Sequence, residues 1–420
     1  MEITDRLAFL AERLRERLWV KPLAACLLSI ASVFLAGVAD RLELAGRIPR
    51  VTADSVESLL SIMAASMLVI ATFAVASMVS AYASASQSAT PRSFKLVVAD
   101  DLSQNALSTF VGSFIFSIVA LTALKNGFFG EAGRTALFAL TVAVFAVVIL
   151  TFVRWVDQIA RLGRLGTSID KVEAAAAAAM ERRLKAPRLG GAPATAGRPE
   201  GRAVRTATVG YVQRVDVPRL QALAEEAGAR VAVAALPGTF AAPGGALAWV
   251  RPDAGELDES VADQIADAFV IGRERIFDED PRFGLIVLSE IADRALSPGI
   301  NDPGTAIAII GSLVRLFAQW AETPDDSPEI RYDRVEVPEL SVGDMFDDAF
   351  TAIARDGAGI VEVMVRLQKG LESLSSLDDR PMRDASIAHA RSALDRAERK
   401  LDSPGDLARV RKAAAFSESG

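Results

Sequence analysis

Four stretches of the chain, 20–38, 59–82, 106–124 and 135–153, run 19 to 24 residues with no charge except at their edges. At a rise of about 1.5 Å per residue, each can cross a hydrocarbon core of about 30 Å, so the pattern predicts four transmembrane helices. Beyond them the period changes. Between 154 and 185, Val156, Ile159, Leu162, Leu165, Ile169 and Val172 recur every three or four residues, the spacing of one helix face, and 174–179 is six alanines. This predicts a long cytoplasmic stalk helix over 154–186, about 45 to 50 Å in length, whose seam could pair with a sister subunit. Residues 187–202, PRLGGAPATAGRPEGR, read as a Pro/Gly linker. Apolar and polar positions then alternate in TATVGYVQRVDV and ARVAVAAL, with Gly/Pro turns between the runs, which predicts a small β-rich module over 203–251. Helical periodicity returns over 252–420, with segments at 259–272, 281–296 and 303–321 and three or four more from 341 onward; Phe346, Phe350 and Ile353 mark one core face. The expected class is a mainly α membrane protein: four transmembrane helices (1–153), a stalk, a small β-rich module and a C-terminal helical domain.

Charge orients these spans. Eleven Lys and Arg flank one side, among them Arg6, Arg13, Arg15, Arg17, Arg92, Lys95 and Arg154, against five on the other (Arg41, Arg47, Arg50, Lys125, Arg134). The excess of positive charge belongs on the cytoplasmic side, so both termini are expected there, in a multi-pass protein of a bacterial inner membrane. Trp19 and Trp155 then fall at the same inner interface. Residues 23–36, followed by Gly37-Val38-Ala39, also have the length and small-residue ending of a cleavable signal sequence. The long region before them, with Glu12 and Glu16, argues for a retained span.

Composition narrows the chemistry. The chain is 51% hydrophobic and carries a net charge of -7, which argues against a nucleic-acid partner. The single cysteine, Cys26, lies in a span, and the single histidine is His389. A disulfide framework, a cysteine or multi-histidine metal site and a histidine-based triad are therefore not expected within one chain. No Walker A, H-E-x-x-H, G-x-S-x-G or dinucleotide fingerprint occurs, so neither a catalytic residue nor a cofactor is assigned.

Two features remain as candidate sites. In the second span Ser77, Ser80 and Ser84 share a face, and in the third Thr109, Ser113 and Ser117 stand one turn apart. Such residues allow close helix packing, or they line a wet path. The second feature is ALSPGINDPGTA, which breaks a long helical pattern at Ser297, Pro298, Gly299, Asn301, Asp302 and Pro303. Asp280-Pro281 and Asp302-Pro303 read as two helix starts, an aspartate accepting first-turn N–H groups before a proline that has none to lose. Gly299 is the expected left-handed residue of the corner. The corner is either purely structural, or its oxygens bind a cation or its helix starts an anion.

The long composite motif formed by GYVQRVD at Gly210, PGTFAAPGGAL at Pro237 and DPRFGLIVLSEIADRALSPGINDPGTA at Asp280, with SATPR before the third span, resembles the bacterial membrane-protein family catalogued as domain of unknown function 2254. The resemblance implies four membrane helices and a cytoplasmic region, with no activity to carry over. Members of that family often carry a histidine pair after the fourth span, where this chain has Asp157-Gln158, so a metal or proton role tied to those histidines does not transfer. The β module also resembles swivelling barrel-sandwich domains, but it has no lysine between 203 and 251 to carry biotin or lipoate. Two readings follow: a homo-oligomeric channel or transport-related protein gated by its cytoplasmic domain, and a membrane-anchored sensor or scaffold that binds a cytoplasmic protein or small ligand.

Overall fold

The structure is a computed structural model that describes residues 19–38, 40, 51–88, 90–93, 96, 101–161, 165–195, 197, 200–322 and 329–418. The basic residues before Trp19, Arg41, Arg47, Arg50, Lys95 and Arg164 lie outside the described residues, as does Leu162 of the stalk seam. The chain is mainly helical and divides into two compact units, with the boundary between Ser168 and Ile169.

The first unit holds α1 (Val20–Val38), α2 (Ala53–Ser88), α3 (Asp101–Lys125) and α4 (Glu131–Arg161). The helix α3 packs against the other three. Small residues let it approach α1: a β-carbon at Gly112 would lie 3.1 Å from Ala25 Cβ and 3.3 Å from Ser29 Oγ. Leu28, Leu35, Val69, Phe73, Leu150 and Val153 point outward, the reverse of a water-soluble bundle and the arrangement a lipid solvent favours. At one end of the bundle, the Asp40 carboxylate accepts the N–H groups of Gly130 (2.8 Å) and Gly133 (2.7 Å), capping α4 from the chain that follows α1. Trp155 is 2% exposed, with Phe73, Phe110 and Phe152 ring centroids 6.0 to 6.1 Å away, whereas Trp19 is 54% exposed. Two of the three rings meet Trp155 edge to face.

The second unit begins within α5 (Leu165–Lys185). Residues 162–164 are not described, so the continuity of the expected stalk is not described either. The seam of α5 is already covered within the chain. Val172, Ala176, Ala179 and Met180 are buried, Gly284 leaves room for Ala176, and Arg315 grips Glu173 through two bonds of 2.7 Å. The apolar face thus closes on the chain's own helices.

Among the described residues eight strands follow, mixed with helices: β1 (Gly191–Pro193), β2 (Arg202–Arg205), β3 (Gly210–Val215), α6 (Val217–Glu226), β4 (Ala229–Val233), β5 (Phe240–Ala241), β6 (Ala246–Pro252), α7 (Glu259–Ala266), β7 (Phe269–Gly272), α8 (Pro281–Leu296), α9 (Pro303–Ala321) and β8 (Tyr332–Val337). One sheet has the order β1-β8-β4-β6-β2, with β8 parallel to both β1 and β4; the other, β5-β3-β7, is antiparallel. The strands therefore extend well outside 203–251. The linker supplies β1, because Gly190 takes φ 82° and Gly191 comes close to the backbone of Val335. The helix expected over 259–272 stops after Ala266, and 269–272 becomes β7 because Val215 and Val212 offer it a ladder. A mixed sheet with a parallel return after two long helices differs from the barrel-sandwich likeness.

The remaining helices are α10 (Val342–Asp356), α11 (Val361–Ser375), α12 (Arg380–Glu398) and α13 (Pro404–Ala414). Their core includes Phe346, Phe350 and Ile353, with Phe317 of α9 at 4.4 and 5.6 Å from the two rings. Among the described residues five helices are long and apolar enough to cross a membrane: α1 to α4 and also α9, the least apolar of them.

Candidate functional site

The corner between α8 and α9 is closed by local bonds. Ser297 Oγ donates to Arg294 O (2.6 Å), Ser297 O accepts from Ile300 N and Asn301 N, and Asp302 N donates to Ala295 O (2.8 Å). The left-handed residue is Asn301, at φ 49°, and not Gly299, whose surroundings are open. The chain reverses where Asn301 N turns back on Ser297 O, one step before the cap, and asparagine tolerates that conformation. Asp302 caps α9 as its sequence predicts: Oδ1 accepts from Thr305 N (3.1 Å) and Oδ2 from Thr305 Oγ1 (2.6 Å). Pro298 and Pro303 fix φ on either side of the turn. Among the described residues, no group of three or more His, Cys, Asp and Glu is placed to hold a metal ion.

Asp280 behaves differently. It stands at the same position before Pro281, yet its side chain makes no capping bond to α8. Both carboxylate oxygens instead accept from Arg275, Oδ2 from Nε at 2.6 Å and Oδ1 from Nη2 at 2.9 Å, and Asp280 is 2% exposed. A forked guanidinium matches a carboxylate better than one amide does, and burial makes the pairing compulsory.

This pair joins segments far apart in the sequence. Gly238, at φ 92°, lies so close to Asp280 that a β-carbon would run into its carboxylate. Gly238 N donates to Val212 O (2.8 Å), and Val212 N donates to Thr239 O (2.9 Å). Arg214 reaches Glu279 at 3.5 Å. GYVQRVD, PGTF and DPRF are thus brought together around Arg275. From α5, Arg182 donates to Asp278 O, and Arg183, only 3% exposed, donates to Glu279 O at 3.3 Å while its Nη1 finds no partner. Arg282, in the first turn of α8, donates Nε to Asp348 (2.6 Å) and Nη1 to Asp344 (3.0 Å) of α10. Burial pushes the Glu279 and Asp348 carboxyls above the usual range, against the pull of Arg214 and Arg183 on the first and Arg282 on the second. Beside the two guanidinium groups lies a cavity of about 140 Å³, walled by Leu236, Gly238, Thr239 and Leu340 together with Arg275 and Arg282.

These converging segments can be placed in a family. The family described as "Predicted membrane protein (DUF2254)" matches residues 15–373. The chain belongs to this family. It is also similar to an uncharacterized protein of Mycobacterium bovis and to two of Mycobacterium tuberculosis, with 37%, 37% and 36% identity over 130 residues. Each match covers 30% of this chain and 24% of the relative's own length. No solved structure matches.

The hydroxyl stripes of this family member are not alike. Ser113 and Ser117 are buried in the bundle, and Ser117 Oγ donates back to Ser113 O (2.8 Å); Thr109 Oγ1 likewise donates to Asn105 O. Ser77 is half-buried, Ser80 is exposed, and the side chain of Ser84 lies outside the described residues. His389 sits beside Asp347 (3.3 Å) and the Phe346 ring, and burial lowers its pKa from the usual value. The residues that sequence reasoning missed are Arg183, Arg275 and Arg282. Their one signal was the unusual company of arginines beside the acidic run 278–280 and the quoted motifs.

Proposed function

We propose that the chain is a membrane-anchored sensor whose second unit, in the cytoplasm, reads a small ligand or partner. In this reading α1 to α4 are the four spans of an inner-membrane protein with both termini inside. The helix α9 is part of the sensor, because its apolar face is taken up by protein: Phe317 meets Phe346 and Phe350, and Ile310 and Val314 pack on Gly370. The observation that carries the reading is the grip of α5 on the acidic run. Arg182 and Arg183 of this helix hold 278–279, next to the Asp280 that orders the charged cavity. Replacing residues 20–153 by an unrelated four-helix anchor should still rescue a strain lacking the protein. Loss of rescue would count against the sensor.

One observation favours the second reading, a homo-oligomeric channel or transport-related protein. Ser80 lies on the outer side of α2 with Ser77 beside it, a hydroxyl-bearing face that neighbouring subunits could gather around an axis. Ser84, Thr109, Ser113 and Ser117 would extend or support that lining. Proteoliposomes of the pure protein would then pass ions or small solutes, and Ser80→Leu would change the flux. Ser113 and Ser117 are poorer test positions, because leucine there would disturb buried packing.

A further inference from the structure

Counting guanidinium donors around the cavity leaves a remainder. Arg275 spends Nε and Nη2 on Asp280, and Arg282 spends Nε on Asp348 and Nη1 on Asp344. Among the described residues, Nη1 of Arg275 and Nη2 of Arg282 are left without a protein acceptor, and neither is among the buried atoms cut off from solvent. Both side chains line the same cavity. Three ion pairs hold them in place before any ligand arrives, so little is lost in ordering them. The first turn of α8, to which Arg282 belongs, has no side-chain cap because Asp280 is committed to Arg275, and that leaves the positive end of a 16-residue helix without its usual acceptor. The remaining wall is apolar or weakly polar, from Leu236, Pro338, Leu340 and Thr239. At about 30 Å³ per water, the space holds roughly four or five waters or one compact anion.

We infer that this cavity is a binding site for a compact oxyanion, a phosphate or carboxylate group, held between the unspent N–H groups of Arg275 and Arg282. The inference rests on the sensor reading and names what the sensor reads. A two-oxygen group can accept from Arg275 Nη1 through one oxygen and from Arg282 Nη2 through the other, which a single spherical halide does less well, beside the apolar wall of Leu236 and Leu340. The carboxylates of Asp280, Asp344 and Asp348 fix the orientation of the guanidinium groups and restrain affinity for an anion.

The test uses the full-length chain in nanodiscs, titrated calorimetrically with inorganic phosphate and, separately, with acetate, in chloride buffer. One site per chain is expected for at least one of the two anions, and the stronger of them identifies the ligand group. Arg282→Lys retains the charge but loses the fork, and should weaken binding by about tenfold or more. Leu340→Phe fills the cavity without altering charge and should weaken it comparably, which keeps the test valid if the lysine variant misfolds. Arg399→Lys, paired with Asp395 elsewhere on the unit, should bind as the parent does. Heat from neither anion overturns the inference, as does binding that both Arg282→Lys and Leu340→Phe leave unchanged. Such a failure is separate from failure of the sensor reading, which shows as lost rescue by the anchor-swapped chain.

Discussion

Two helix starts in this chain share one local sequence, Asp280-Pro281 and Asp302-Pro303, and only the second uses it as written. Asp302 caps α9 through Thr305. Asp280 abandons α8 for Arg275, in a buried bidentate pair pressed against Gly238. The local code offers an aspartate a single amide at modest gain, about 1 kcal/mol. Arg275, half-buried, offers the same carboxylate a two-pronged charged partner, and Asp280, 2% exposed, would be a buried charge left unpaired if it refused. The difference teaches that a capping signature states what a side chain can do, and that a long-range partner decides what it does.

The same substitution at the two positions should separate them most widely. Asp280→Asn removes the charged, two-pronged acceptor of half-buried Arg275 and should cost about 1.5–3 kcal/mol, whereas Asp302→Asn, still a good cap, should cost only a few tenths. Denaturant unfolding of the full chain in detergent, followed by amide exchange of the second unit, measures both. If the two costs are equal, the comparison fails. Next in size is Gly238→Ala, which drives a β-carbon into the Asp280 carboxylate at a residue with φ 92°, and should cost about 1–3 kcal/mol. At the corner of the other helix start, Asn301→Ala should cost about 1 kcal/mol, because alanine loses asparagine's tolerance of φ 49°. Gly299→Ala should stay within about 0.5 kcal/mol, since it meets open space. The reverse order would place the left-handed residue at Gly299 after all.

Acid titration gives the smallest and most discriminating signal. Bonds from Thr305 hold the Asp302 carboxyl below its ordinary value, so its stabilising share is present above about pH 4 and is lost as the pH falls through the folded pKa. Burial raises Glu279, so its share is fully present below about pH 4 and is lost as the pH rises through its folded pKa. Asp302→Asn should flatten the acid limb of the stability profile, and Glu279→Gln the rise-side loss. A profile unchanged by either variant would contradict both assignments.

Much of the fold was legible because it is written in local periods. The apolar lengths of α1 to α4, the three-to-four spacing of Phe346, Phe350 and Ile353, and the Asp302 cap can all be read within a single helical turn or span. What escaped depends on partners distant in the chain. The strand β1 forms inside a Pro/Gly segment because β8, nearly 140 residues later, returns beside it, and 269–272 becomes strand because β3 stands open next to it. The α5 seam looks available to a sister subunit until Gly284 and Arg315 close over it. Of the candidate site, the motif segments were visible but their meeting point was not, because Arg275 lies outside the quoted motifs and Arg183 sits in a helix that reads as solvent-exposed stalk.

The central claim is that Asp280 serves Arg275 and not the start of α8. A double-mutant cycle with Arg275→Met, Asp280→Asn and the pair together, measured by denaturant unfolding of the full chain, tests it most directly. The account predicts that the double variant loses far less than the sum of the singles, with a coupling of about 2 kcal/mol or more. Additivity within about 0.5 kcal/mol would contradict it and return Asp280 to the role of an ordinary helix cap.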